Sequence, residues 1–242
     1  MKKLTACLLL LFSLSVFAQK NDATCNCPVL NNIGIPPYPL NTKATRTFHL
    51  PNNTNIILCG YTDTSVVKGK ALFSEFTLSE CGTNDVLGFW GAVLSCNVKV
   101  NNDTLLVERL EPLPIGKSMK TEFRPWTTER IYYVNAELVN DIQIDPRIPK
   151  YTTSQIASVL KLYSRTPNKN NDSLSELADK LLICVLSGSK EAERYLLNFK
   201  NKFTMIDGEV EEGYDTTLRM LKFWETHHYD VIKIDSHFQR YY

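Results

Sequence analysis

No G-x-S-x-G elbow, no paired C-x₂-C and no intact phosphate loop occurs in this sequence. Each absence removes a class of chemistry. Without the elbow there is no sequence signature of an α/β-hydrolase serine nucleophile. Without C-x₂-C pairs the cysteines lack the spacing of a structural zinc site. Gly116-Lys117-Ser118 resembles the end of a phosphate loop, but the motif's first glycine would fall on Glu111, and Pro112 and Pro114 stiffen the approach. Charge of one sign is also lacking. The whole chain carries a formal charge of +1, and loss of Lys2 and Lys3 would leave −1. With no basic block to neutralise phosphates, nucleic acid is not an expected partner. No lysine-rich amphipathic stretch points to a membrane-surface anchor. No cofactor or metal is expected.

Long apolar runs are few, and the first is at the start. Lys2 and Lys3 precede the apolar stretch from Cys7 to Leu14, and Val16-Phe17-Ala18 gives the small-x-small pattern of a signal-peptidase site. The run is shorter than the about 20 residues needed to cross a bilayer. Residues 1–18 are therefore read as an export signal, with Gln19 as the mature start. Leu4-Thr5-Ala6-Cys7 matches a lipoprotein box, but its apolar core follows the cysteine instead of preceding it. The expected location is the periplasm or the extracellular space, with no transmembrane segment after processing. In a eukaryotic host Asn52, Asn102 and Asn171 would each head a glycosylation sequon.

An oxidising compartment makes disulfides the default for cysteine. Cys25, Cys27, Cys59, Cys81 and Cys96 are the candidates, and five cannot all pair, so two bridges and one free thiol are expected. Cys25 and Cys27 are too close to join each other and should reach the later three. Cys184 lies within Leu181–Leu186, an apolar helical stretch, and reads as a small hydrophobe.

The chain divides by composition. Residues 19–44 hold four prolines among asparagines and read as an extended arm. Residues 45–146 read as an antiparallel β-domain, a sandwich or barrel, with strands near 45–50, 55–60, 70–78, 86–100, 104–110 and 130–139. Asn101-Asn102-Asp103 marks a hairpin turn, and Gly88 and Gly91 mark a bend. Residues 147–242 read as a helical layer of about four helices. Capping boxes at Thr152/Gln155 and Ser173/Glu176 open the first two, Gly188 closes the second, and Ser189 opens the third. A fourth is expected over 211–226 and a final strand over 229–234. The short link between the second and third helices implies an antiparallel hairpin, which resembles the unit of HEAT-type repeats; no sequence period accompanies it. The expected class is α+β.

Only four histidines are available for catalysis. His49 stands alone on a strand. His227, His228 and His237 lie near Asp230 and Asp235, but without the i, i+4 spacing that aims two ligands at one metal, so a helix end is preferred. The acidic run from Asp207 to Glu212 has only Asp207 before Gly208, which does not satisfy a calcium loop. The most suggestive stretch runs from Phe123 to Tyr133. There Arg124 and Arg130 interleave with Phe123, Trp126, Tyr132 and Tyr133, a chemistry that stacks on sugars or anchors a protein. The competing reading places these aromatics in the core. The expected function is a non-enzymatic binding or structural module with an envelope protein or carbohydrate as partner. The alternative is a hydrolase of envelope or extracellular polymers whose residues are scattered in sequence.

Overall fold

Period-2 alternation decides which side of a half-buried strand meets the core, and it is clearest over residues 95–98, 104–107 and 129–132. The structure, a computed structural model, describes residues 25–28, 43–51, 53–83, 85–91, 95–135, 137–168, 173–205, 208–227 and 232–233. The expected signal at 1–18 and most of the arm lie outside the described residues. Among the described residues nine strands form one antiparallel sheet: β1 (Arg46–His49), β2 (Asn55–Asp63), β3 (Leu72–Glu80), β4 (Val86–Trp90), β5 (Ser95–Asn101), β6 (Thr104–Ile115), β7 (Lys120–Val134), β8 (Glu137–Ile144) and β9 (Ile232–Lys233). The pairing path runs from β1 through β3 to β5 and on to β9, with β4 also on β3. It does not close on itself among the described residues. The helices α1 (Thr153–Arg165), α2 (Ser173–Leu186), α3 (Lys190–Leu197), α4 (Phe199–Lys202) and α5 (Gly208–His227) follow β8, giving an α+β fold.

The expected single run over 86–100 is divided into β4 and β5. β4 pairs with β3 at Phe76–Trp90, while β5 meets β3 only at Phe73–Cys96 before pairing with β6. On β3, Glu75 is an extra residue with φ 47° at the register shift opposite Gly60 and Tyr61. Gly60 is required there, because a Cβ would stand 2.3 Å from Phe76 Cβ. The hairpin turn expected at Asn101-Asn102-Asp103 forms between β5 and β6 as a two-residue turn, with Asn101 paired to Thr104 and Asn102 at φ 55°.

Two apolar clusters result. One lies on the inner face of the sheet and includes Phe48, Ile56, Phe76, Trp90, Val98 and Val107. The sheet curls over it, so that Tyr133 of β7 donates its hydroxyl to Glu80 of β3. The second is helical, built on Leu174, Leu181, Leu182, Leu196 and Phe199, and it takes in Leu113, Ile115 and Trp126 from the far end of the β6–β7 hairpin. β6 outruns β5 after Leu110, so Pro112 and Pro114 sit where that side of the strand has no ladder partner. The capping box at Thr152 and Gln155 forms as expected, and Ser189 caps α3.

Both disulfides tie the arm to the sheet: Cys25 to Cys81 and Cys27 to Cys59. Cys96 is the thiol left over, and it is buried with Cys184. Burial pushes both thiols up to about 12, so neither is a thiolate near neutrality.

Candidate functional site

The outer face of β5–β8 carries two rows of side chains in direct register. One row is Lys99, Leu106, Arg130 and Asp141; the next is Asn97, Glu108, Thr128 and Gln143. All lie on the polar side of the alternation whose other side is Val98, Val107 and Ile131. The turn after β8 adds Asp145 and Arg147, positioned by the Asp145 N–H donating to the Trp126 carbonyl. Lys99, Leu106, Glu108, Thr128, Arg130, Gln143, Asp145 and Arg147 line a groove of about 580 Å³, and Asn97 and Asp141 bond its lining from outside it.

Glu108 and Asp145 line its base, Asp141 is buried beside it, and three cations, each more exposed, pair with these carboxylates. Glu108 Oε1 accepts from Lys99 Nζ at 2.8 Å and from Arg147 Nη2 at 2.9 Å, while Oε2 accepts from Asn97 Nδ2 at 2.8 Å. Arg147 also chelates Asp145 through Nε and Nη2. Arg130 grips Asp141 through Nε and Nη2, both at 2.7 Å, and Tyr132 donates to the same carboxylate at 3.0 Å. Two-pronged pairs of this kind are the strongest charged hydrogen bonds proteins make. The partners differ sharply in exposure. The Glu108, Asp141 and Asp145 side chains are 7%, 0% and 2% exposed, against 43%, 35% and 64% for Lys99, Arg130 and Arg147.

Electrostatics follows from this stacking. Burial alone would raise the Glu108 carboxyl, but hydrogen bonds from Lys99, Asn97 and Arg147 outweigh it and hold the group below its ordinary value. The Asp145 and Glu108 carboxylates stabilise the charged Arg147, and Asp141 does the same for Arg130. The hydrogen bond to Asp141 raises the Tyr132 hydroxyl. The groove therefore presents N–H donors to solvent over acceptors that are already occupied.

The six residues singled out from the 123–133 stretch go to different places. Arg130 lines the groove, and Tyr132 bonds the same carboxylate beside it, with the guanidinium 5.6 Å from the ring centre. Trp126 is buried in the helical cluster. Tyr133 faces inward on the opposite side of the sheet. Phe123 and Arg124 sit on the hairpin's outer stretch, where Phe123 is half-exposed and Arg124 pairs with Glu122. The reason is geometric. Tyr132 and Tyr133 alternate across the sheet, and the register shift at Arg109–Leu110 falls beside Trp126 and directs it toward the helices.

Sequence reasoning missed Lys99, Glu108, Asp141, Asp145 and Arg147. The available signal was the charged half of each alternating strand, read together for strands distant in sequence. His49 is on β1 with its Nδ1 2.7 Å from Asn55 Oδ1, remote from the groove lining. His228, Asp230, Asp235, His237 and Asp207 lie outside the described residues. Among the described residues no group of three or more His, Cys, Asp or Glu converges as a metal site. Gly116-Lys117-Ser118 is part of the β6–β7 turn. Comparison of the chain with protein-family models, curated proteins and solved structures finds no match.

Proposed function

We propose that the protein is an exported, non-enzymatic binding module of the periplasm or cell surface, and that the β5–β8 groove is its binding surface. The observation carrying this reading is the layered charge: occupied, buried carboxylates beneath cations with hydrogens to spare. A general acid needs a carboxyl with a raised pKa, and Glu108 is shifted the other way. Among the described residues the two free thiols, Cys96 and Cys184, are buried and protonated near neutrality. The two disulfides and the segment at 1–18 support an oxidising destination. On this reading residues 45–146 are the β-domain, curled toward a sandwich or open barrel, and residues 147–242 are the helical support.

The test is retention of the oxidised protein on insoluble envelope polymer. The wild type is expected to co-sediment, and a Lys99→Met, Gln143→Ala double variant of equal stability to stay in solution. Release of soluble fragments from the polymer by the wild type would overturn the binding reading in favour of a hydrolase. Retention untouched by the double change would remove the groove from it.

A further inference from the structure

We propose that the groove is selective for a carboxylate-bearing saccharide over a neutral one; this rests on the binding reading above. The first argument is the inventory of hydrogens. Arg130 and Arg147 each commit Nε and Nη2 to carboxylates, and the Nη1 nitrogens have no hydrogen-bond partner among the described residues. Lys99 commits one ammonium hydrogen, to Glu108. Glu108 Oε1 bonds both Lys99 and Arg147, so those two cations stand within two hydrogen-bond lengths of each other. A ligand entering here meets donors, and an anionic oxygen pair is the acceptor that matches them best.

The second argument is shape. Leu106 separates Lys99 from Arg130 in one row. Strands lie about 4.8 Å apart, so the two cationic positions stand about 10 Å apart with the Leu106 side chain between them. A pyranose ring can lay its C–H face on Leu106 and direct a carboxylate to either side. Thr128 and Gln143, adjacent in the next row, both donate and accept, as vicinal hydroxyls require.

The third argument separates a saccharide from an acidic peptide. From Leu105 to Leu110, β6 is paired on both sides, and β7 is likewise paired on both sides from Thr127 to Ile131. Their backbone groups are committed to the sheet, so a peptide cannot extend it here by adding a strand. Recognition must run through side chains. Each of the three cations is ion-paired with a buried carboxylate, so the attraction is short-range hydrogen bonding and its dependence on salt is modest.

Calorimetry on the disulfide-bonded protein decides the matter with three probes: a galacturonate oligomer, the same oligomer with its carboxylates reduced to neutral galactose, and an oligomer of glutamate. The galacturonate oligomer is expected to bind at least tenfold more tightly than either other probe. Lys99→Met is expected to remove that tenfold preference, and Lys99→Arg to restore it. Lys99 is the safest cation to change, because Glu108 keeps Asn97 and Arg147. Equal affinity for acidic and neutral oligomers, both weakened by Gln143→Ala, would overturn the selectivity while leaving the binding reading intact. Glutamate oligomer bound as tightly as galacturonate would overturn the saccharide assignment. Absence of binding by all three would overturn the inference, and the polymer-retention experiment would then decide the binding reading separately.

Discussion

Arg147 holds two carboxylates at once, and its removal should be felt first as a loss of stability. Arg147→Met leaves Glu108 and Asp145 less compensated. A fully buried pair broken on one side costs about 3–5 kcal/mol, but Arg147 is 64% exposed and water screens the site, so about 1–2 kcal/mol is expected. The urea midpoint measures it. Glu108 sets the pH sense. Its folded value is depressed, so its stabilisation is complete above the ordinary carboxylate range and lost as pH falls through the folded value. Wild-type stability should decline below about pH 4, and Glu108→Gln should lessen that decline. Asp179 of α2 behaves oppositely. Burial raises its carboxyl from 3.8 to about 6, against a hydrogen bond from Thr217 of α5 that lowers it. A raised acid favours folding while protonated, so stability falls as pH rises from about 4 to 6 and the cost persists at neutrality. Asp179→Asn should therefore stabilise the protein at pH 7.5 by on the order of 1–2 kcal/mol and have little effect near pH 4. Paired thermal melts at the two pH values check this, and equal shifts at both would contradict it.

At the scale of elements, β7 shows where sequence reading succeeds and where it stops. The capping of α1 and α3 and the strand character of residues 130–134 are local and were legible, but residues 120–129 were not read as strand, and the single run expected over 130–139 is broken by the turn between β7 and β8. The environments along β7 were not, because neighbours from other strands and a register shift assign them. Trp126 and Phe123 look equivalent in sequence, yet one is 3% exposed among helices and the other 38% exposed. Trp126→Ala should cost about 3–5 kcal/mol, as large aromatic deletions in cores do. Phe123→Ala should stay within about 0.5 kcal/mol, as surface changes do. Chemical denaturation of the two variants separates them, and comparable losses would show that Trp126 is not the core residue described. The disulfides follow the same division. That two bridges and one free thiol would arise from five cysteines was legible from the compartment and the parity. Which cysteine stayed free was not, because Cys96 faces the apolar cluster on β5 while Cys59 and Cys81 meet the arm.

Across the whole molecule the β6–β7 hairpin joins the two apolar clusters: Leu105, Val107 and Ile131 enter the sheet cluster, while Leu113, Ile115 and Trp126 enter the helical one. The groove lies on the outer face of that same hairpin and its neighbours, so it is carried mainly by paired strands, with Asp145 and Arg147 added by the turn after β8. Such a platform suits a preorganised binding surface, because its side chains are held before the ligand arrives. No single stretch of sequence contains it. Lys99 and Arg147 are brought together only by four strands in register, and this is why motif reading found an aromatic run and overlooked the ion-paired face. The most direct test of the account is an amide NMR titration with the galacturonate oligomer. The account predicts shifts concentrated on residues 97–101, 106–108, 128–132 and 141–147, and their loss in Lys99→Met. Shifts concentrated at the hairpin tip around Phe123, or among the helices, would contradict it.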